Sequence, residues 1–179
     1  MGDESMPATP DDLFAFLDRL GIAHKTTTHP PLFTVEQSQE LRGTIPGGHT
    51  KNLFLKDKKD AVFLVVAPED ASVDLKTLHH RLGANRFSFG SADLMRELLG
   101  VEPGAVTPFG VMNDTAGRIS VVLDTGMMEN AILNYHPLVN TMTTSIARED
   151  LVRFLEATGH KPRIERVAGD ADAANAPGN

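Results

Sequence analysis

The chain of 179 residues contains no cysteine. That excludes disulfides, thiol nucleophiles and zinc held by cysteine. The common chemical signatures are missing too: there is no Walker sequence, no GxGxxG behind a strand, no HExxH and no GxSxG. No apolar run approaches the ~20 residues needed to cross a bilayer. The leading MGDESMPATPDD has neither the basic nor the apolar region of a secretory signal. A cytoplasmic protein with no membrane partner is therefore expected. Basic charge is in deficit, with 17 Lys+Arg against 24 Asp+Glu and a net charge of −7. This argues against broad affinity for nucleic acid, DNA included, because phosphate neutralisation dominates such binding. A small basic patch gripping one RNA end remains compatible with it.

What is present is the balance of an ordinary globular domain, 41% apolar and 23% charged, in a chain long enough for one real core. Thr9, Pro10, Asp11 and Asp12 form a helix start, and Leu13, Phe16, Leu17 and Leu20 recur at helical spacing until Gly21. An extended IAHKTTTHPP follows. Thr34 and Gln37 then suit a capping box for a short helix, Val35 to Leu41. RGTIPGGHT reads as an irregular loop. From Thr50 onward the pattern is short apolar runs bounded by turn residues: 50–56, 61–67, 85–89, 106–112, 118–124 and about 138–146. Helices are expected at about 75–82, 92–99 and 148–158, with KPRIERVA supplying a last strand. The tail GDADAANAPGN has no bulky apolar residue. The expected organisation is a flexible 1–8, one domain over 9–168 and a disordered 169–179. The fold class is α+β, a single domain whose mixed, mostly antiparallel sheet or barrel-like core is flanked by helices.

Three stretches carry candidate chemistry. In GHTKNLFLKDKK, the residues Lys56, Lys58 and Lys59 surround Asp57 and Asp60 at a hairpin turn, whereas Lys51 stands against Leu53-Phe54-Leu55. Alternation puts Lys51, Leu53 and Leu55 on one face and Asn52, Phe54 and Lys56 on the other. A lysine at the mouth of such a strand either snorkels to water or aims at an anion in a cleft, and spacing leaves both open. In GVEPGAVTPFGVMND, Gly104 and Pro108 bracket Ala105, Val106 and Thr107. A glycine permits a tight turn and close approach, so the loop can offer amides to an oxyanion, although most such loops are plain turns. Asn113-Asp114 with Gly117 reads as a turn without chemistry. In LNYHPLVN, His136 precedes a proline and is extended or in a turn. Such a histidine is more often a structural hydrogen-bonder than a base, and His29 before Pro30-Pro31 has the same bland reading. His79-His80 lies on a helix with its members on different faces, so a joint metal site is not expected and both are read as solvated.

Taken together, HPPLFTVEQSQ, GHTKNLFLKDKK, LGANRFSFGSADLMRELLGVEPGAVTPFGVMND and NYHPLVNTMTTSIAREDLVRFLEATGH resemble the YbaK/aminoacyl-tRNA deacylase family. This superfamily includes the editing domain inserted in bacterial prolyl-tRNA synthetases. The similarity runs from about residue 10 to 168 and looks strongest towards the freestanding Ala-tRNA(Pro) deacylases. The resemblance implies removal of alanine wrongly attached to proline tRNA, by hydrolysis of the ester at the terminal adenosine and without a cofactor. It assigns the family's lysine to Lys51, followed by Asn52, its GxxxP loop to Gly104–Pro108 and its pocket histidine to His136. It places a covering helix at Val35–Leu41 with Phe33 beside it, and gives Arg86 and Lys56 to the RNA. Relatives often carry another residue before the histidine, so Tyr135 leaves the pocket size open. The implied partner is the acceptor end of proline tRNA, with prolyl-tRNA synthetase itself left open as a second.

On this reading Lys51 holds the terminal phosphate, Asn52 adds a neutral hydrogen bond, and amides of 104–108 meet the carbonyl oxygen as it turns tetrahedral. Positioned water attacks the activated ester, and the pocket excludes proline by size, the smaller sieve of double-sieve editing. The expectation is geometric: cation, loop and imidazole surround one small cavity. Two alternatives stand beside it, a deacylase for cysteine or serine on tRNA and a non-catalytic module that binds tRNA ends or a synthetase.

Overall fold

A Thr-Pro-Asp-Asp start gives the first helix, α1 (Pro10–Arg19), a reciprocal cap. The Thr9 hydroxyl accepts from the Asp12 amide at 3.1 Å, and the Asp12 carboxylate accepts from the Thr9 amide at 2.9 Å. The computed structural model describes residues 6–31, 40 and 43–167. After α1 come β1 (His24–Thr28), β2 (Gly48–Asp57), β3 (Val62–Pro68), α2 (Leu75–Leu82), β4 (Phe87–Phe89) and α3 (Ala92–Leu98). They are followed by β5 (Ile119–Asp124), β6 (Ile132–Tyr135), β7 (Met142–Ala147), α4 (Arg148–Ala157) and β8 (Arg163–Glu165). The eight strands form one mixed sheet in the order β1-β7-β6-β2-β3-β5-β8, with β4 also on β2. The expected α+β class with helices around a mixed sheet is what the chain adopts.

β2 is the junction. β3 pairs antiparallel with it from Thr50 to Lys56 along one edge. On the other edge β6 pairs only with Gly48 and His49, and β4 only with Leu55 to Asp57. Between them the Thr50 hydroxyl reaches the Asn134 carbonyl and the Gly90 amide reaches the Phe54 carbonyl. Among the described residues no strand pairs with the edge around residues 51–53, where two sub-sheets part. The two faces of β2 and β3 carry separate cores. Phe54, Leu64 and Val66 join Leu13, Leu98, Ala105, Phe109, Tyr135 and Phe154 on one side. Leu55, Phe63, Val65 and Ala67 join Leu78, Leu82 and Phe87 of the α2 side on the other.

Buried carboxylates fasten the turns. Burial works against the charge of Asp57, but the amides of Asn85, Ala61 and Lys59 outweigh it and hold the carboxyl below its ordinary range. Asp114 accepts from the Arg118 and Ile119 amides and from His160 Nε2–H at 2.8 Å. That closes the turn before β5 against the end of α4.

Three expectations change. The run 106–112 is not a strand: Pro108–Asn113 is a 3-10 helix. Pro108 has no ladder donor, the Thr107 hydroxyl caps the Phe109 amide, and Gly110 sits so close to Leu99 that a Cβ would lie 2.9 Å from its carbonyl oxygen. The run 138–146 becomes strand only from Met142, because Leu138 takes a left-handed φ of 73°. Four-residue β6 is too short to leave a periodic signal and has no counterpart among the expected strands. Apart from residue 40, the expected helix Val35–Leu41, with Phe33 before it, lies outside the described residues, as does the expected tail.

Candidate active site

Where the sub-sheets part, two neighbours on β2 face opposite ways. Lys51 is paired across the ladder with Ala67 and Asn52 with Val66, so they face the α2 core and the larger core respectively. The Lys51 ammonium donates to the Ala71 carbonyl, leaving two of its three protons for another acceptor. Asn52 has a carbonyl oxygen, Oδ1, that is buried with no hydrogen-bond partner among the described residues. Such an orphan costs about 1–3 kcal/mol unless a ligand donor meets it. The larger core, which Asn52 faces, also holds Ala105, Val106, Tyr135 and Leu138.

The loop before the 3-10 helix is only partly free. Ala105 is buried and its amide donates to the Glu102 carbonyl at 2.8 Å, so that donor is already used. Gly104 is exposed and Val106 half-buried, while Thr107 and Pro108 are enclosed. The amides of Gly104 and Thr107 make no hydrogen bond to a described residue. A Cβ at Gly104 would stand 3.2 Å from Asn140 Nδ2. The loop therefore touches the segment that follows His136.

His136 is half-buried, and its Nδ1–H donates to the Met142 carbonyl at 3.0 Å. A carbonyl only accepts, so the neutral ring keeps its lone pair on Nε2. Burial, and then the neighbouring His29, push the His136 imidazole below its ordinary value, against the Met142 bond. The two rings lie 6.3 Å apart. His29 is itself held, donating from Nδ1 to the Pro30 carbonyl and accepting at Nε2 from the Thr143 hydroxyl, both at 2.8 Å. Leu138, two residues beyond His136, is a buried non-glycine residue with left-handed backbone. Strain of this kind persists where the surroundings over-determine a conformation, and it clusters at sites.

The structure thus joins the 104–108 loop to the His136 segment and places Asn52 on their side of the sheet. It does not bring Lys51 with them: strand alternation sends the ammonium to the opposite face. Tyr135 is packed into the larger core. It is 2% exposed, packs edge-on to Phe109 at 5.9 Å and donates its hydroxyl to Met127 Sδ. Burial accordingly raises its phenol above the ordinary range. It backs the site as core. Lys56 points to the Asn52 face and pairs with Asp60 at 3.5 Å, whereas Arg86 is exposed beside α2. His29 and Asn140 were missed as site neighbours. The signal for His29 was its proline context, which matches that of His136. Among the described residues no three His, Cys, Asp or Glu are grouped to hold a metal.

The Aminoacyl-tRNA editing domain family matches residues 29–154. The Prolyl-tRNA editing protein ProX of Acetoanaerobium sticklandii is 36% identical over 149 residues, covering 83% of this chain and 91% of that protein. Prolyl-tRNA synthetase associated domain-containing protein 1 of Danio rerio is 40% identical over 155 residues, covering 86% and 84%. A solved structure described as a candidate trans-editing enzyme for prolyl tRNA synthetase shares the fold, with a TM-score of 0.68 at 17% identity over 90% of this chain and 98% of that one. With its sequence matched from the His29 loop through α4 and its fold shared along the whole domain, the chain belongs to the aminoacyl-tRNA editing domain family.

Proposed function

We propose that this chain is a trans-editing hydrolase that removes alanine from mischarged proline tRNA, with the acceptor end of that tRNA as its partner. Family membership supplies the reaction class, deacylation of an aminoacyl-tRNA ester. The observation that carries the residue assignment is the orphaned buried oxygen of Asn52, on the side of the sheet that holds the loop and His136. An acceptor there suits the α-ammonium of an aminoacyl group or a ribose hydroxyl, both of which donate.

Attack by a water oxygen on the ester carbon converts the carbonyl oxygen to an oxyanion. The amides of Gly104 and Thr107 are its proposed donors, and one such donor is worth about 2.7–4 kcal/mol of barrier. Collapse breaks the bond to the ribose oxygen, which leaves as a hydroxyl with a proton, and alanine departs. His136 offers a lone pair at Nε2 to orient the water, and its ring bounds the acyl pocket. Lys51 holds the terminal phosphate as the RNA end crosses the edge at 51–53. Size does the discrimination: a pocket fitted to a methyl excludes a proline ring, where binding alone separates molecules one methylene apart by ~1–3 kcal/mol.

The test is a deacylation panel with Ala-tRNA(Pro), Pro-tRNA(Pro) and cysteinyl and seryl tRNAs. Fast release of alanine with proline spared is the expected result. Preference for cysteine or serine replaces the substrate, and no hydrolysis of any ester leaves only a binding module.

A further inference from the structure

On the Lys51 face of the sheet a second recess opens beside α2. It encloses about 670 Å³ and is lined by Leu75, Lys76, His79, His80, Arg86 and Phe87. Every polar side chain in that lining is a base, and none is a carboxylate, in a chain whose net charge is −7. Five arginines elsewhere are spoken for: Arg96, Arg118, Arg148, Arg153 and Arg163 each meet a carboxylate at 2.8–3.3 Å. Lys76 and Arg86 pair with no described carboxylate.

The two histidines correct the sequence reading that separated them. Neighbours on a helix are about 100° apart, yet these imidazoles lean together with centroids 4.0 Å apart and planes inclined by 36°. His80 is exposed, but His79 is half-buried and its Nδ1 is shielded without a hydrogen-bond partner. Phe87 closes the floor, edge-on to His79 at 6.3 Å. A planar guanidinium, an ammonium and two imidazoles with no competing acid make a set of donors and charges that suits phosphate oxygens.

The recess lies on the Lys51 side of β2, beyond the other end of the strand. Lys51 shares its strand face with Leu55 and Asp57, which pair with Phe89 and Phe87. From Lys51 to Asp57 the strand rises ~20 Å, with Leu55 and Asp57 buried on that face, so Lys51 and the recess are two separated cationic points, an arrangement for a polyanion rather than for one small anion. Resting on the editing function proposed above, we infer that Lys76, His79 and His80 form a docking cleft for the ribose-phosphate backbone of the RNA, on the sheet face opposite the acyl pocket.

The experiment compares the wild type with Lys76→Glu, an exposed change, and with the triple variant Lys76→Gln/His79→Gln/His80→Gln, each checked for folding by circular dichroism. Affinity for uncharged tRNA is measured across 50–200 mM salt, with inorganic phosphate as a competitor, beside hydrolysis of 3′-alanyl-adenosine, which has the ester and no phosphate. Both variants should bind RNA about 10-fold more weakly at low salt. The slope of log K against log salt should become shallower by roughly 0.7–0.9 for each phosphate no longer neutralised, while the small ester is cleaved within twofold of wild type. Unchanged affinity and slope overturn the cleft, as does inorganic phosphate that binds the protein yet leaves tRNA binding untouched. Weakened RNA binding in a protein that hydrolyses no aminoacyl ester keeps the cleft and rejects the editing function. Unaltered RNA binding in an active enzyme rejects the cleft alone.

Discussion

The two faces of β2 come from the same ten residues but solve different problems. One side, reached by Asn52, belongs to the larger apolar core. It holds an acceptor and two amides that no described residue meets, and an imidazole whose charging burial disfavours, and it meets the left-handed turn at Leu138. The other side, towards which Lys51 turns, carries at the far end of the strand a recess lined by four basic side chains. A neutral, enclosed surface suits an ester whose charge appears only in the transition state. An open cationic one suits a polyanion that carries its charge from the start. On the function proposed above, a one-residue step along a strand separates chemistry from grip, because alternation reverses the side chain.

That division can be broken most severely at Gly104. In Gly104→Ala the new methyl meets the Asn140 side-chain amide at 3.2 Å, and one of the two must give by a few tenths of an ångström. Kcat on Ala-tRNA(Pro) should fall about 100-fold, as a small misplacement can cost, with RNA affinity and its salt slope intact. Asn52→Leu comes next. Losing an acceptor for a charged donor, worth ~1.5–3 kcal/mol, should lower kcat/KM about 30-fold on tRNA and on alanyl-adenosine alike. An effect confined to tRNA would move Asn52 to the gripping side. His136→Ala should enlarge the pocket and reduce the preference for alanine over proline about 10-fold, read as a ratio of deacylation rates. The smallest effect is in pH. Because burial lowers the His136 imidazole, its lone pair survives below the ordinary value near 6.5, so the acid limb of kcat/KM should lie under that pH. Removing the nearby ring in His29→Gln should move the limb upward. The same sign governs stability: burial disfavours the charged ring, so protonation as pH falls towards and below its ordinary value costs the folded state more than the unfolded one.

Much of this was legible before any fold was known. Thr9-Pro10 and Gly83 marked helix limits, and the strand runs of β2, β3 and β5 were plain, because caps and apolar runs are local. The loop at 104–108 and its approach to the His136 segment could be expected as a grouping. The destination of Lys51 could not. Alternation did separate it from Asn52, but which face meets the loop depends on how β3, β5 and the helices stack, and that is not local. The Ala105 amide was likewise taken by Glu102 through a single backbone turn invisible in composition. Tyr135 was expected at the pocket through the resemblance, whereas it ends β6 with its ring in the larger core. His79 and His80 were divided by helical geometry, although side-chain rotation let the rings meet.

Strand β2 as a divider between grip and chemistry is tested most directly by Lys51→Ala on two substrates. On Ala-tRNA(Pro) the variant should lose at least ~30-fold in kcat/KM, the scale of a truncated charge contact. On 3′-alanyl-adenosine, which has no phosphate to hold, the rate should stay near that of the wild type. Equal losses on both substrates would place the ammonium at the ester and contradict the division.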